Sequence, residues 1–303
     1  MPLSPEARRA LEALNRGPLR HPQRAPDPPA APEPTVSART PFPTLPAPPE
    51  PPVGAAIPAG PQMLEQLLSG RASECRSHRC FLYERPVHTP SWRNVPIAHQ
   101  LREVFANPPG DAEGPLATLL GGPPERALLL DIETTGLTGG PLFLVGVLAL
   151  EGKALMLRQF FARDYTEETG VLEHTRDLIR EHPALVSFNG RTFDLPYLAN
   201  RAAYHRLPSP SAPLHVDLLH LARRRWRGRL PDCRLQTLER FICRRHRVDD
   251  IPGDMMARVY HDYVRTGDAT RIRQVFQHNL MDLVTMAEIL CVLAAPPPGA
   301  RGR

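Results

Sequence analysis

Three apolar runs in quick succession, the first ending in acids, constrain this chain more than any other feature. ALLLDIETT (127–135), PLFLVGVLAL (141–150) and ALMLRQFFA (154–162) each suit a buried strand. Gly139-Gly140-Pro141 and Glu151-Gly152-Lys153 leave only short turns between them. The spacing predicts an antiparallel meander. The pattern then alternates. EETGVLEHTRDLIREHP (167–183) reads as a helix, with Val171, Leu172, Leu178 and Ile179 apolar, and ALVSFNG (184–190) as a strand. FDLPYLANRAAYHR (193–206) reads as a helix and LHVDLL (214–219) as a strand entering a helix. CRLQTLERFICRR (233–245) and TRIRQVFQHNLMDLVTMAEILCVL (270–293) are further helices. Three strands followed by alternating helices and strands imply an α/β fold with a mixed central sheet flanked by helices.

The preceding chain differs in kind. Of 37 prolines, 18 fall in residues 1–61. Proline fits neither helix interiors nor central strands, so these residues read as a disordered arm. Within it, SPEARRALEALNR (4–16) has a helix signature, with Ser4 to cap it and Pro5 in its first turn. The arm is a candidate site for a protein partner. Residues 62–124 read as a small extension or subdomain, with CFLYERPV (80–87) strand-like and IAHQLREVFAN (97–107) helix-like. The main domain is expected over 125–295, with a short disordered tail at 296–303.

A net charge of +5 suits a nucleic-acid partner without demanding one. The five cysteines, Cys75, Cys80, Cys233, Cys243 and Cys291, show no disulfide framework. No signal-peptide pattern and no run of 18 apolar residues stands in the sequence. The expectation is a cytoplasmic protein with no membrane partner.

The chemistry lies in the acids. Asp131 and Glu133 are at i and i+2 near the end of a buried strand, so both carboxylates share a face while Ile132 points into the core. Like charges so close repel unless a cation intervenes, and a hard divalent ion suits oxygen ligands. By itself the pair could equally be two solvated acids at a turn. Asp194 follows the strand ALVSFNG and could serve a site at the strand end, cap the next helix, or do both. His278 and Asp282 are four residues apart on one helix face. They border a core stripe of Ile272, Phe276, Leu283, Met286 and Leu290, where a purely structural pair is the alternative.

Taken in order, D131-x-E133, N189-x3-F193-D194 and H278-x3-D282 resemble the three motifs of the DEDD superfamily of 3′–5′ exonucleases. CRLQTLERF and RVDDIPG are similar to a segment of B-family DNA polymerase proofreading domains. LHVDLLHLARRRW, PDCRLQTLER and HN-x2-D282 resemble the bacterial YprB-type ribonuclease H-like family. The likeness covers about residues 126–292. One departure is that His278 stands at the spacing DEDD enzymes usually give to tyrosine.

The resemblance implies a ribonuclease H-like fold and a hydrolase acting on the 3′ end of single-stranded DNA or RNA. It implies two Mg²⁺ or Mn²⁺ ions held by Asp131, Glu133, Asp194 and Asp282, with His278 taking or orienting a proton of the attacking water. A non-catalytic nucleic-acid-binding module and an endonuclease of the same fold are the competing readings. Thr134, Leu137, Asn189 and Phe193 are candidate nucleic-acid contacts. So are Arg223, Arg225 and Arg227 of RRRWRGR (223–229), as a phosphate track with Trp226 stacking. The alternative there is a solvated helix end with Trp226 in the core. For Leu137 the alternative is plain packing.

Three weaker signals are read structurally. Asp217 is expected to cap a helix, and Asp249 and Asp250, which could lie near the cleft, are read as solvated loop acids. Cys75, His78 and Cys80 lack the fourth ligand that a structural zinc site needs.

Overall fold

The structure is a computed structural model and describes residues 63–88, 91, 94–136, 139–247 and 250–295. The expected helix over 4–16, the proline-rich arm, Leu137, Asp249 and the C-terminal tail lie outside the described residues.

One seven-stranded sheet organises the fold. Its strands are β1 (Arg71–Cys75), β2 (His78–Val87), β3 (Ala127–Thr134), β4 (Leu142–Glu151), β5 (Ala154–Phe161), β6 (Ala184–Ser187) and β7 (Leu214–Asp217). They lie in the order β1-β2-β5-β4-β3-β6-β7. The meander is present, with β3, β4 and β5 pairing antiparallel, while β6 and β7 join parallel. The mixed sheet expected from the sequence is therefore found. The turn from β4 to β5 is two residues long, and Gly152 takes φ 55°, where a side chain would be strained.

β4 is buried along all but its last residue, because both its faces are covered. That explains its unbroken apolar run. On one face, α4 (Glu168–Glu181) and α5 (Asp194–Tyr204) close a core containing Leu128, Leu130 and Ile132. On the other, α9 (Ile272–Leu293) packs with α2 (Ile97–Ala106), α3 (Gly114–Leu120), α6 (Leu218–Trp226) and α7 (Leu235–Phe241) over Leu129, Leu148 and Val186. A third cluster joins Phe143 and Phe161 to α1 (Leu64–Leu67) and α8 (Met256–Thr266). There the Phe143 and Tyr260 rings stack with centroids 4.3 Å apart.

Residues 63–124 share this body. The β1–β2 hairpin extends the sheet beyond β5, and α2 and α3 belong to the core around α9. Two helical expectations need correction. The helix read over 233–245 covers only Leu235–Phe241, and the chain then turns through Arg244 at φ 52°. Helix α8 was missed, although Met256, Val259, Tyr260 and Tyr263 repeat at helical spacing and form its buried face.

Candidate active site

β3 and β6 are paired only from Ala127↔Ala184 to Leu129↔Val186, after which they part. The acids gather in that gap. Beyond Leu129 the β6 side of β3 has no strand partner. The Ile132 main chain lies close enough to the Asp194 carboxyl to oppose part of the rise that burial gives its pKa. Asp194 is the first residue of α5 and only 5% exposed. The cap position is held by Phe193, so Asp194 does not cap the helix. Asp131 and Glu133 face α9, while Ile132 is buried on the opposite face, as strand alternation requires.

Helix α9 brings His278 and Asp282 to the same place. Ligand atoms of Glu133, His278 and Asp282 lie within 4.8 Å of one another. Asp131 feels the charges of Asp282, Glu133 and Asp194, so all four acids belong to one electrostatic cluster. The structure thus brings together Asp131, Glu133, Asp194, His278 and Asp282.

The cluster is short of positive charge on its sheet side. Burial, reinforced by Asp282, Glu133 and Asp194, pushes the Asp131 carboxyl well above its usual range. Burial raises Glu133 to about 8 despite the opposing pull of His278, and raises Asp194 to about 7. Among the described residues, no arginine or lysine is ion-paired with these three. On the helix side the reverse holds. Arg247 donates to Asp282 Oδ1 at 2.5 Å, to Glu239 Oε2 at 2.6 Å and to Asp250 Oδ2 at 3.3 Å. His278 meets Asp250 Oδ1 through Nδ1 at 2.8 Å and Asp282 Oδ2 through Nε2 at 3.3 Å. Burial alone would raise Asp282, but His278 and Arg247 hold it below its usual value. Burial likewise opposes the His278 charge, yet its hydrogen bonds to Asp250 and Asp282 lift it to about 10.

Several residues here escaped the sequence reading. Asp250, expected to be merely solvated, contacts both His278 and Arg247. Arg247 and Glu239 were not singled out at all. Asn279 is fully buried, and its Nδ2 donates to Asp131 Oδ2 at 2.8 Å. A buried amide in an apolar helix must find partners, so the isolated Asn279 was a usable signal. Asp217 caps α6 by accepting from Leu219 N at 3.1 Å. It also accepts from Asn189 N at 2.8 Å and Arg191 N at 3.1 Å, which fixes the loop leading to Asp194.

The remaining candidates are spread out. Asn189 is exposed at φ 66°, and its Oδ1 accepts from Thr192. Phe193 is half-buried against Tyr197, and Thr134 donates to Gly136 O. Trp226 is only 8% exposed and packs in the core, so it offers no stacking platform. Arg223 and Arg227 are exposed and Arg225 half-buried. All three lie in or just beyond the last turn of α6, a nine-residue helix that starts at the site loop. At 1.5 Å per residue they stand about 9 to 15 Å along its axis from Asp217. The arginine track is therefore not among the residues gathered at the acids. Cys75 contacts Asp177 and His78 contacts Glu173, while Cys80 is buried. They form no common ligand cluster among the described residues.

The strand order β5-β4-β3-β6-β7, with acids at the fork of β3 and β6, defines a ribonuclease H-like α/β domain. Residues 128–294 match the family model of the RNase_H superfamily, and the chain belongs to that family. It is 28% identical over 164 residues to the uncharacterized protein YprB of Bacillus subtilis (strain 168), which covers 52% of this chain and 40% of YprB. Among solved structures it is similar to the family B DNA polymerase of Pyrobaculum calidifontis. That match has a TM-score of 0.44 and 19% identity, over 55% of this chain and 24% of the polymerase. Among the described residues no helix is long and apolar enough to cross a membrane.

The donor set fits divalent ions. It is carboxylate-rich, ligand atoms of Glu133, His278 and Asp282 lie within 4.8 Å of one another, and among the described residues Asp131, Glu133 and Asp194 have no arginine or lysine ion-paired with them.

Proposed function

We propose that the protein is a metal-dependent 3′–5′ exonuclease acting on single-stranded DNA or RNA. The observation that carries this reading is the gathering of Asp131, Glu133, Asp194 and Asp282, three of them with no arginine or lysine partner among the described residues. Such a cluster repels a phosphate backbone unless cations intervene, so it has little use in a protein that only binds nucleic acid.

Asp131, Glu133, Asp194 and Asp282 would hold Mg²⁺ or Mn²⁺ ions, which lower the pKa of water and neutralise charge on the leaving oxygen. His278 takes or orients a proton of the attacking water. Asp250 at Nδ1 fixes the ring so that Nε2 faces the acids. In the ion-free protein the hydrogen bonds to Asp250 and Asp282 favour the protonated form of the His278 ring. Positive charge bound beside it lowers its proton affinity and makes it available as a base. Arg247 keeps Asp282 ionised and pointed at the site. Thr134, Leu137, Asn189 and Phe193 are assigned to the strand terminus as the residues flanking the acids in sequence.

The test is incubation of the full chain with 5′-labelled single-stranded DNA and RNA in Mn²⁺ or Mg²⁺, beside Asp131→Ala. A metal-dependent ladder shortening from the 3′ end, absent in the variant, is the expected result. Internal cuts would replace the exonuclease reading by an endonuclease. Binding without cleavage would leave only a nucleic-acid-binding module.

A further inference from the structure

A row of residues crosses the sheet beneath the acids. Asp131 of β3 pairs with Gly146 of β4, and Gly146 pairs with Gln159 of β5. Helix α9 lays Asn279 against this row. A Cβ on Gly146 would stand 1.8 Å from Asn279 Oδ1, so only glycine lets the amide reach the sheet. Asn279 and Gln159 are both fully buried.

The hydrogen bonds in this row have one direction. Gln159 Nε2 donates to Phe276 O and to Asn279 Oδ1, each at 2.8 Å. Asn279 Nδ2 then donates to Asp131 Oδ2 at 2.8 Å and to Asp131 O at 3.3 Å. Both ends terminate on main-chain carbonyls, which can only accept. Reversing either amide would set oxygen against oxygen. Gln159 must therefore present its NH₂ to Asn279, and Asn279 must present its NH₂ to Asp131. The arrangement leaves Gln159 Oε1 buried without a hydrogen-bond partner among the described residues. The row keeps its direction at that cost.

We infer that Asn279, oriented by Gln159 through the opening at Gly146, is a positioning residue that fixes the carboxylate plane of Asp131 for divalent-ion binding. The inference rests on the reading of the acids as a metal site. Asn279 contributes no ligand itself; it restricts how the remaining lone pairs of Asp131 meet an ion. Residues behind metal ligands commonly act in this way, and their loss typically costs roughly 10–100-fold in metal affinity.

The test is Mn²⁺ titration of the full chain by calorimetry, with urea unfolding in EDTA run alongside to separate loss of fold from loss of affinity. Asn279→Ala is expected to weaken Mn²⁺ binding roughly 10–100-fold. Gln159→Met touches none of the acids and nearly preserves volume, so it remains informative if Asn279→Ala fails to fold. Its expected effect is a smaller weakening. The double variant should bind no worse than Asn279→Ala, because Gln159 acts only through Asn279. Unchanged Mn²⁺ affinity in a folded Asn279→Ala protein, or in Gln159→Met, would overturn the positioning role alone. A wild-type protein that takes up no Mn²⁺ would overturn the metal reading, and this inference with it.

Discussion

The two sides of the acid cluster are built on opposite electrostatic plans. On the sheet side, Asp131, Glu133 and Asp194 are buried together and driven toward their neutral forms. On the helix side, Asp282 is equally enclosed but held ionised by Arg247 and His278, which Asp250 and Glu239 brace in turn. Burial is common to both, so it does not decide the charge state. The supply of protein cations does. The side with its own counter-charges is complete as folded, whereas the other, if it is the proposed metal site, would be balanced by cations from solution.

The largest effects should come from the unbalanced side. In the proposed nuclease, Asp131→Ala and Asp194→Ala should each bring cleavage down to background. His278→Ala should retain a remainder, lower than wild type by roughly 10²–10⁴-fold, the usual contribution of a general base. Equal loss in all three variants, measured as initial rates on labelled single strands, would erase the distinction between ion-holding and proton-handling residues.

Stability sharpens the comparison next. Arg247→Met strands Glu239, Asp250 and Asp282 without their shared cation, and it should cost about 3–5 kcal/mol in urea unfolding without divalent ions. Added Mn²⁺ acts on the other side. At a hundred times its dissociation constant it should stabilise the wild type by about 2.7 kcal/mol, and Asp131→Ala should lose this gain. An arginine variant as stable as wild type would show that the helix side is not self-balanced.

A pH slope tests the same side in the absence of ions. Glu133 is raised from an ordinary 4.5 to about 8 in the folded, ion-free protein. Between these values the folded state binds the proton more tightly than the unfolded state. Stability in EDTA should therefore fall as pH rises from 4.5 to about 8. Glu133→Gln cannot titrate and should make that slope shallower, leaving the share of Asp131 and Asp194. A slope unchanged in the variant would place the uncompensated charge elsewhere.

Local periodicity made half of this arrangement readable. Asp131 and Glu133 follow from strand alternation, and His278 and Asp282 from the four-residue helical repeat. Asp194 was visible as an acid at a strand end, though its place beside β3 depends on where β6 stops. Arg247 and Asp250 lie in an irregular connection with no repeat to read, and only the packing of α9 reveals their partners. Asn279, Gln159 and Gly146 did leave traces. Leu155, Leu157, Gln159 and Phe161 share one face of β5, and the single polar member among them asks for an explanation. The composition of the arginine run suits phosphate, but its place at the far end of α6 depends on the length of that helix, which composition does not give.

The bond between Asn279 and Asp131 spans 148 residues of sequence. His278 and Asp282 come from the same late helix, which is also the apolar centre of the molecule. A ribosome making this chain releases β3 long before α9, so the emerging polypeptide carries its first two acids with neither their amide support nor their remaining companions. In the proposed nuclease, ion capture would thereby be deferred until synthesis has passed Asp282, and an unfinished copy would have no assembled centre with which to attack nearby nucleic acid.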